Sequence, residues 1–260
     1  MCGRGRGAHH SRMTKYRTPL DAATAVLQNP TLPAGDDERF VGFGVMGLPF
    51  ANGNYLALRH FPAATFAPAY RSVWHRDPNG RWTFYATTPG PQSCSRYFST
   101  VTSNAAVQCE IDIAWLTPWS LFVGITGLLE WEIDMRPTPA TRLMSAVGRR
   151  LPTGAWTNGT VLGALGRAAG ATLHAGQLRL AGTAPNGQRF MIAPRQVWAV
   201  SRSRAVLDGT DLGPVGPLPD QAQLAGFRPP QRGLFVVGSG HFENFDADRH
   251  RAVHRTVSIS

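Results

Sequence analysis

Acid–base chemistry needs titratable side chains held in a protected place, and this 260-residue sequence offers few of them. His75, in "SVWHR", and Tyr85, in "WTFYA", fall by strand alternation on one polar face with Arg71 and Thr83. Five carboxylates, Glu110, Asp112, Glu130, Glu132 and Asp134, stand at two-residue spacing at the ends of the most apolar stretch. Turned into a barrel, a pair of them could act as acid and base. Turned outward, they are a solvated strand surface that pairs with arginines. The candidate catalytic groups are therefore His75, Tyr85, Glu130 and Glu132, with a hydrogen-bonded structural histidine as the competing reading of His75.

Other chemistries lack their residues. A Schiff base needs a desolvated lysine, and the one lysine, Lys15, lies in the N-terminal region; the other 25 basic residues are arginines. No G-x-S-x-G occurs, and Ser239 with His241 in "GSGH" lacks a strand–turn–helix context. "GFGVMG" at 42–47 matches G-x-G-x-x-G, but Pro49 and a further strand follow where a phosphate-binding helix should open. His250 and His254 could share a helical face, yet Arg249, Arg251 and Arg255 would repel a cation, so no metal is expected. No cofactor is expected either. Cys2, Cys94 and Cys109 are odd in number and without metal spacing, which favours a reducing compartment and a cytoplasmic location. Residues 1–12 hold no apolar core of a secretory signal, and 1–14 read as a disordered extension.

The net charge of +10 invites an anionic partner, but the arginines are scattered in small groups rather than in one stripe. Binding to duplex DNA is expected to be weak and indifferent to sequence.

Elements must position these residues, and period two dominates. In 109–114 Cys109, Ile111 and Ile113 alternate with polar positions; in 128–135 Leu129, Trp131, Ile133 and Met135 do. Between them the run from Trp119 to Leu129 is eleven residues, too short to cross a bilayer as a helix. With turns at Thr117-Pro118 and Gly127, the stretch reads as a β-meander. Two Pro-Asn-Gly segments, at 78–80 and 185–187, each join amphipathic strands. A type I turn with the glycine in a bulge would put Trp74, Trp82 and Phe84 on one face, and Leu178, Leu180, Phe190 and Ile192 on one face. Helical spacing appears at 18–28, behind Thr18 and Pro19, and as a pair across 138–173.

The expectation is a mainly β fold: an antiparallel, lipocalin-like barrel with the helical pair 138–173 inserted. One β-rich domain would run over 15–240, with a polar tail at 241–260. Trp74, Phe84, Ile111, Ile113, Trp131 and Ile133 are expected to face a common interior and line an apolar ligand site with indole N–H groups as polar handles. The segment "NYLALRHFPAATFAPAYRSVWHRDPNGRWTFYA" (54–86) resembles the early strands of lipocalin-like proteins of the carotenoid-hydratase and AttH type, in its strand, Phe-Pro crossover and Trp-rich hairpin. That resemblance implies a calycin-like barrel that binds isoprenoid or other lipidic molecules and sometimes transforms them; the helical pair departs from the pattern. The leading reading is a binder of a hydrophobic small molecule. The alternatives are a metal-free hydratase, isomerase or cyclase on a terpenoid or polyketide-like substrate, and a basic protein that binds nucleic acid or an anionic membrane.

Overall fold

The structure, a computed structural model, describes residues 17–98, 106–251 and 256–258. The expected extension at 1–14, Lys15 and His254 lie outside them. Thr18 caps helix α1 (Pro19–Gln28): its hydroxyl accepts from the Asp21 amide while the Asp21 carboxylate accepts from the Thr18 amide. Strands follow as β1 (Glu38–Val45), β2 (Leu48–Pro49), β3 (Tyr55–Ala64), β4 (Tyr70–Arg76) and β5 (Trp82–Ala86), then a single helical turn α2 (Ser95–Phe98). Next come β6 (Ala106–Gln108), β7 (Asp112–Thr117), β8 (Ser120–Ile125) and β9 (Leu129–Arg136). Helices α3 (Pro139–Arg150) and α4 (Gly159–Leu173) precede β10 (Ala181–Thr183), β11 (Arg189–Leu207), β12 (Thr210–Asp211), β13 (Leu234–Phe242) and β14 (Thr256–Ser258).

The strands form one sheet in the order β14-β6-β5-β4-β3-β1-β13-β11-β9-β8-β7. The meander is β7-β8-β9, antiparallel throughout, with its turn at Gly127 (φ 70°). The expected closed barrel is not formed. The end strands β7 and β14 pair with β8 and β6, not with each other, and β6 joins both neighbours in parallel. A barrel would leave one apolar interior, whereas the central strands here are buried on both sides: β1 from Phe40 onward and β3 from Tyr55 to Arg59 have no exposed position. A strand that is apolar on both faces belongs in the middle of a layered structure.

The two faces carry two cores. Leu56, Leu58, Val73, Phe43 and Phe235 join Trp131, Ile133 and Ile111 on one side. Tyr55, Phe61, Tyr70, Trp74, Phe84 and Phe242 pack on the other with α2. The six residues expected to share an interior are therefore split. Ile111, Ile113, Trp131 and Ile133 go to the first core, and Trp74 and Phe84 to the second. The reason is period two along β3 and β4: adding the 70–86 hairpin to the sheet places Val73 beside the meander residues, so its neighbour Trp74 must point away.

The bulged hairpins are as expected. The Gly80 amide donates to the Asp77 carbonyl and the Asp77 amide to the Arg81 carbonyl, with Trp74 opposite Phe84. At the second, the Gly187 amide donates to the Ala184 carbonyl and the Ala184 amide to the Gln188 carbonyl. Helix α3 is capped by Thr138 and α4 by Asn158. Both lie over the second face. Ser145 fixes α3 to β11, its hydroxyl accepting from the Val197 amide (2.9 Å) and donating to the Val197 carbonyl (3.2 Å). Within 241–251, His241 and Phe242 complete β13, and His250 is buried against Glu243. Among the described residues no helix is long and apolar enough to cross a membrane.

Candidate functional site

The second face and the helices border a partly open cavity of about 170 Å³. Its floor comes from β1, β3, β4, β11 and β13, and α3, α4 and the 3₁₀ turn Thr153–Thr157 cover it. Phe61, Phe190, Ile192, Leu165 and Val236 are typical of its wall. Leu178 and Leu180, gathered with Phe190 and Ile192 by the Gly187 hairpin, all line it. A cavity of this size takes about one aromatic ring or a short chain. A retinoid-sized molecule would require the cover to move.

One charged group is built into the wall. Arg59 is 6% exposed, on the cavity face of β3. One terminal nitrogen, Nη1, donates to the carbonyls of Val45 (2.7 Å) and Leu58 (2.8 Å); Nη2 donates to that of Met46 (3.1 Å). Its guanidinium lies 4.6 Å from the Trp74 ring centre, within cation–π range. No carboxylate forms an ion pair with it among the described residues, and none lines the cavity. Burial pulls the guanidinium below its usual range, against the influence of nearby Cys94, Tyr55 and Tyr70. Arginine is nevertheless a permanent cation in proteins, so Arg59 is a buried charge.

The glycines of "GFGVMG" explain how the guanidinium reaches those carbonyls. A Cβ on Gly42 or Gly44 would collide with the His60 or Leu58 carbonyl oxygen, so the side-chain-free edge of β1 lies close over β3. The end of β1 then presents the Val45 and Met46 carbonyls to Arg59. The motif thus offers two carbonyls to an arginine of its own chain, and strand β2, not a helix, follows it.

The remaining polar groups of the wall are mostly donors. The indole N–H groups of Trp74 (2% exposed) and Trp156 (5% exposed) are buried without a hydrogen-bond partner. Arg179 and Arg228 stand at the rim. Tyr70 and Cys94 share a hydrogen bond (Oη···Sγ 3.2 Å). Burial pushes the Cys94 thiol up to about 11 and the Tyr70 phenol well above its usual range, so both are neutral at pH 7. A thiol held protonated is a poor nucleophile.

The expected catalytic groups lie elsewhere. His75 bonds Asn54 through Nε2 (2.8 Å to Oδ1), and burial lowers its pKa. Tyr85 packs on the first core, its pKa raised mainly by burial. Glu130 and Glu132 are exposed on the outer side of β9, between buried Leu129, Trp131 and Ile133. None of the four lines the cavity. Of the six expected ligand contacts only Trp74 does; Phe84 meets it edge-on behind the wall, ring centres 4.7 Å apart, and Trp131 donates to the Ser203 hydroxyl (2.8 Å). Among the described residues no three of His, Cys, Asp and Glu come together as a metal site would need. Sequence reasoning passed over Arg59. Its signal was a charge inside "YLALRHF", a strand apolar at positions of both parities, where an arginine has no solvent face to occupy.

No protein-family model matches this chain, and no curated protein matches it. Among solved structures it is similar to an acetoacetate decarboxylase from Legionella pneumophila, with 11% identity over 86% of this chain and 89% of that one, at a TM-score of 0.38. A likeness that low says nothing of what this chain does. The fold is mainly β, one large mixed sheet with few helices.

Proposed function

We propose that the protein binds a small apolar molecule that carries one carboxylate, with Arg59 as its counter-ion. The observation that carries this reading is a buried guanidinium on the wall of an apolar cavity whose described lining contains no carboxylate. Desolvating a charge costs several kcal/mol unless it is paired, and three carbonyl acceptors compensate Arg59 only in part. A ligand carboxylate would supply the missing charge through charge-assisted hydrogen bonds. The unpartnered indoles of Trp74 and Trp156 favour a second acceptor on the ligand, and the rim arginines favour its approach as an anion. Binding is preferred over hydratase or isomerase chemistry because His75, Tyr85, Glu130 and Glu132 stand away from the cavity, and the groups within it are donors or neutral.

Calorimetry with octanoate and octanol tests the reading. Octanoate should bind more tightly, and Arg59→Met should reduce its affinity by about ten- to a hundredfold while leaving octanol little changed, with folding checked by thermal melting. Equal affinity for acid and alcohol, or octanoate binding indifferent to Arg59→Met, would sink it.

A further inference from the structure

Between Met135 and Leu207 the sequence holds ten arginines and not one aspartate or glutamate. This stretch alone therefore carries a formal +10, equal to the net charge of the whole chain, and it includes the entire helical cover. On α3, Arg142, Leu143 and Arg150 are exposed, with Ala146 and Arg149 half-buried beside them. At 100° per residue these five positions fall on one side of the helix, opposite the buried Thr141, Ser145 and Gly148. On α4 the exposed side holds Val161, Ala164, Arg167 and Ala168, opposite buried Leu162, Gly166 and Leu173. Arg142, Arg149, Arg150 and Arg167 form no ion pair among the described residues, unlike Arg81, Arg96, Arg189 and Arg204, which do. Leu143 is 54% exposed and Val161 36%, so two of the five exposed large aliphatic side chains of the described structure lie on the same two helices as these uncompensated cations.

We infer that the outer face of α3 and α4 docks on an anionic lipid bilayer. Charge complementarity requires a surface rich in anions, and arginines near an anionic leaflet each contribute favourably over about a Debye length. The aliphatic residues distinguish a bilayer from a nucleic acid. Leu143 and Val161 can enter the headgroup–acyl boundary, whereas a single-stranded nucleic acid would call for exposed aromatic platforms, which these helix faces lack. The carboxylates lie on a different part of the fold: Glu110, Asp112, Glu130 and Glu132 are exposed on the meander, which would favour one orientation at the surface. The inference stands independently of what the cavity holds.

Co-sedimentation of the full chain tests it, using vesicles of phosphatidylcholine with about 30 mol% phosphatidylglycerol and vesicles of phosphatidylcholine alone, at about 0.1 M salt. Binding is expected to the anionic vesicles only. The triple variant Arg142→Glu, Arg150→Glu, Arg167→Glu should lower the partition coefficient on the order of a hundredfold, and Leu143→Asn with Val161→Asn should lower it further. The arginines have no ion-pair partners and the two aliphatic side chains are partly exposed, so both variants should remain folded, which a thermal melt of each checks. Arg81→Gln, on the β4–β5 hairpin and already paired with Asp77 (2.8 Å), should leave binding unchanged. Equal binding to neutral vesicles, an equal loss with Arg81→Gln, or tighter binding to duplex DNA than to the anionic vesicles would each overturn the inference.

Discussion

At the scale of residues, two glycines and one arginine carry most of the logic. Gly80 (φ 86°) and Gly187 (φ 101°) occupy the bulge of the two Pro-Asn-Gly hairpins, a backbone region that disfavours a β-branched side chain. Gly80→Val should destabilise the protein by about 1 kcal/mol or more, measured by urea unfolding. Gly187→Val should cost more. A Cβ there would stand 3.2 Å from His250 Cδ2 and 3.3 Å from the Arg249 carbonyl, whereas at Gly80 it meets only the flexible end of Arg76. Equal losses would count against this account of the second hairpin. These turns were legible in the sequence because a Pro-Asn-Gly between amphipathic strands admits few registers. Arg59 was harder to see. Its role depends on the Val45 and Met46 carbonyls, which reach it through the close approach of β1 to β3, a relation between strands that local alternation does not encode.

At the scale of elements, caps and periodicity sufficed where an element is amphipathic. Thr18-Pro19 and Thr138-Pro139 announce α1 and α3, and the meander turns fall at the expected Pro118 and Gly127. What alternation could not decide was which strands share an interior, because β1, β3 and β13 are apolar on both faces and give no sign of which side meets the meander. Small residues of α4 serve two different ends. A Cβ on Gly166 would come within 2.7 Å of the Leu178 carbonyl, so this glycine sets the distance of the helix from the rim. Nothing stands near a Cβ on Gly163. Gly163→Ala should therefore stabilise the protein by about 0.5–1 kcal/mol through helix propensity. Gly166→Ala should destabilise it, because α4 must lift away from the Leu178 carbonyl. Thermal melts of the two variants moving in the same direction would contradict this packing.

At the scale of the whole molecule, stability falls in acid through a partly buried histidine. His60 lies on the opposite face of β3 from Arg59, beside Phe43, with Nδ1 buried and unpartnered. Burial, and secondarily Arg71, pull its pKa from the ordinary 6.5 down to about 4. The unfolded chain therefore binds a proton that the native state refuses between pH 6.5 and 4. The stabilisation is fully present above about pH 6.5 and is lost as pH falls through that window, by roughly 2 kcal/mol once partial exposure is discounted. His75 shifts in the same direction, mainly through burial. Urea midpoints at pH 4.5 and 7 should show the loss, and His60→Gln should shrink it; an unchanged pH slope in the variant would assign the acid sensitivity elsewhere.

Strand β11 has a mechanical consequence. Over its 19 residues it pairs with β13 along Phe190–Ala199 and with β9 along Ala199–Leu207, and it also holds β10 and β12. It is the spine to which both halves of the molecule are stitched. No hinge can part the cavity floor without unzipping this strand, which would also tear open the other core. Traffic into and out of the cavity must therefore pass on the side of the helices and of the rim at Arg179 and Arg228, and it can do so without disturbing the sheet.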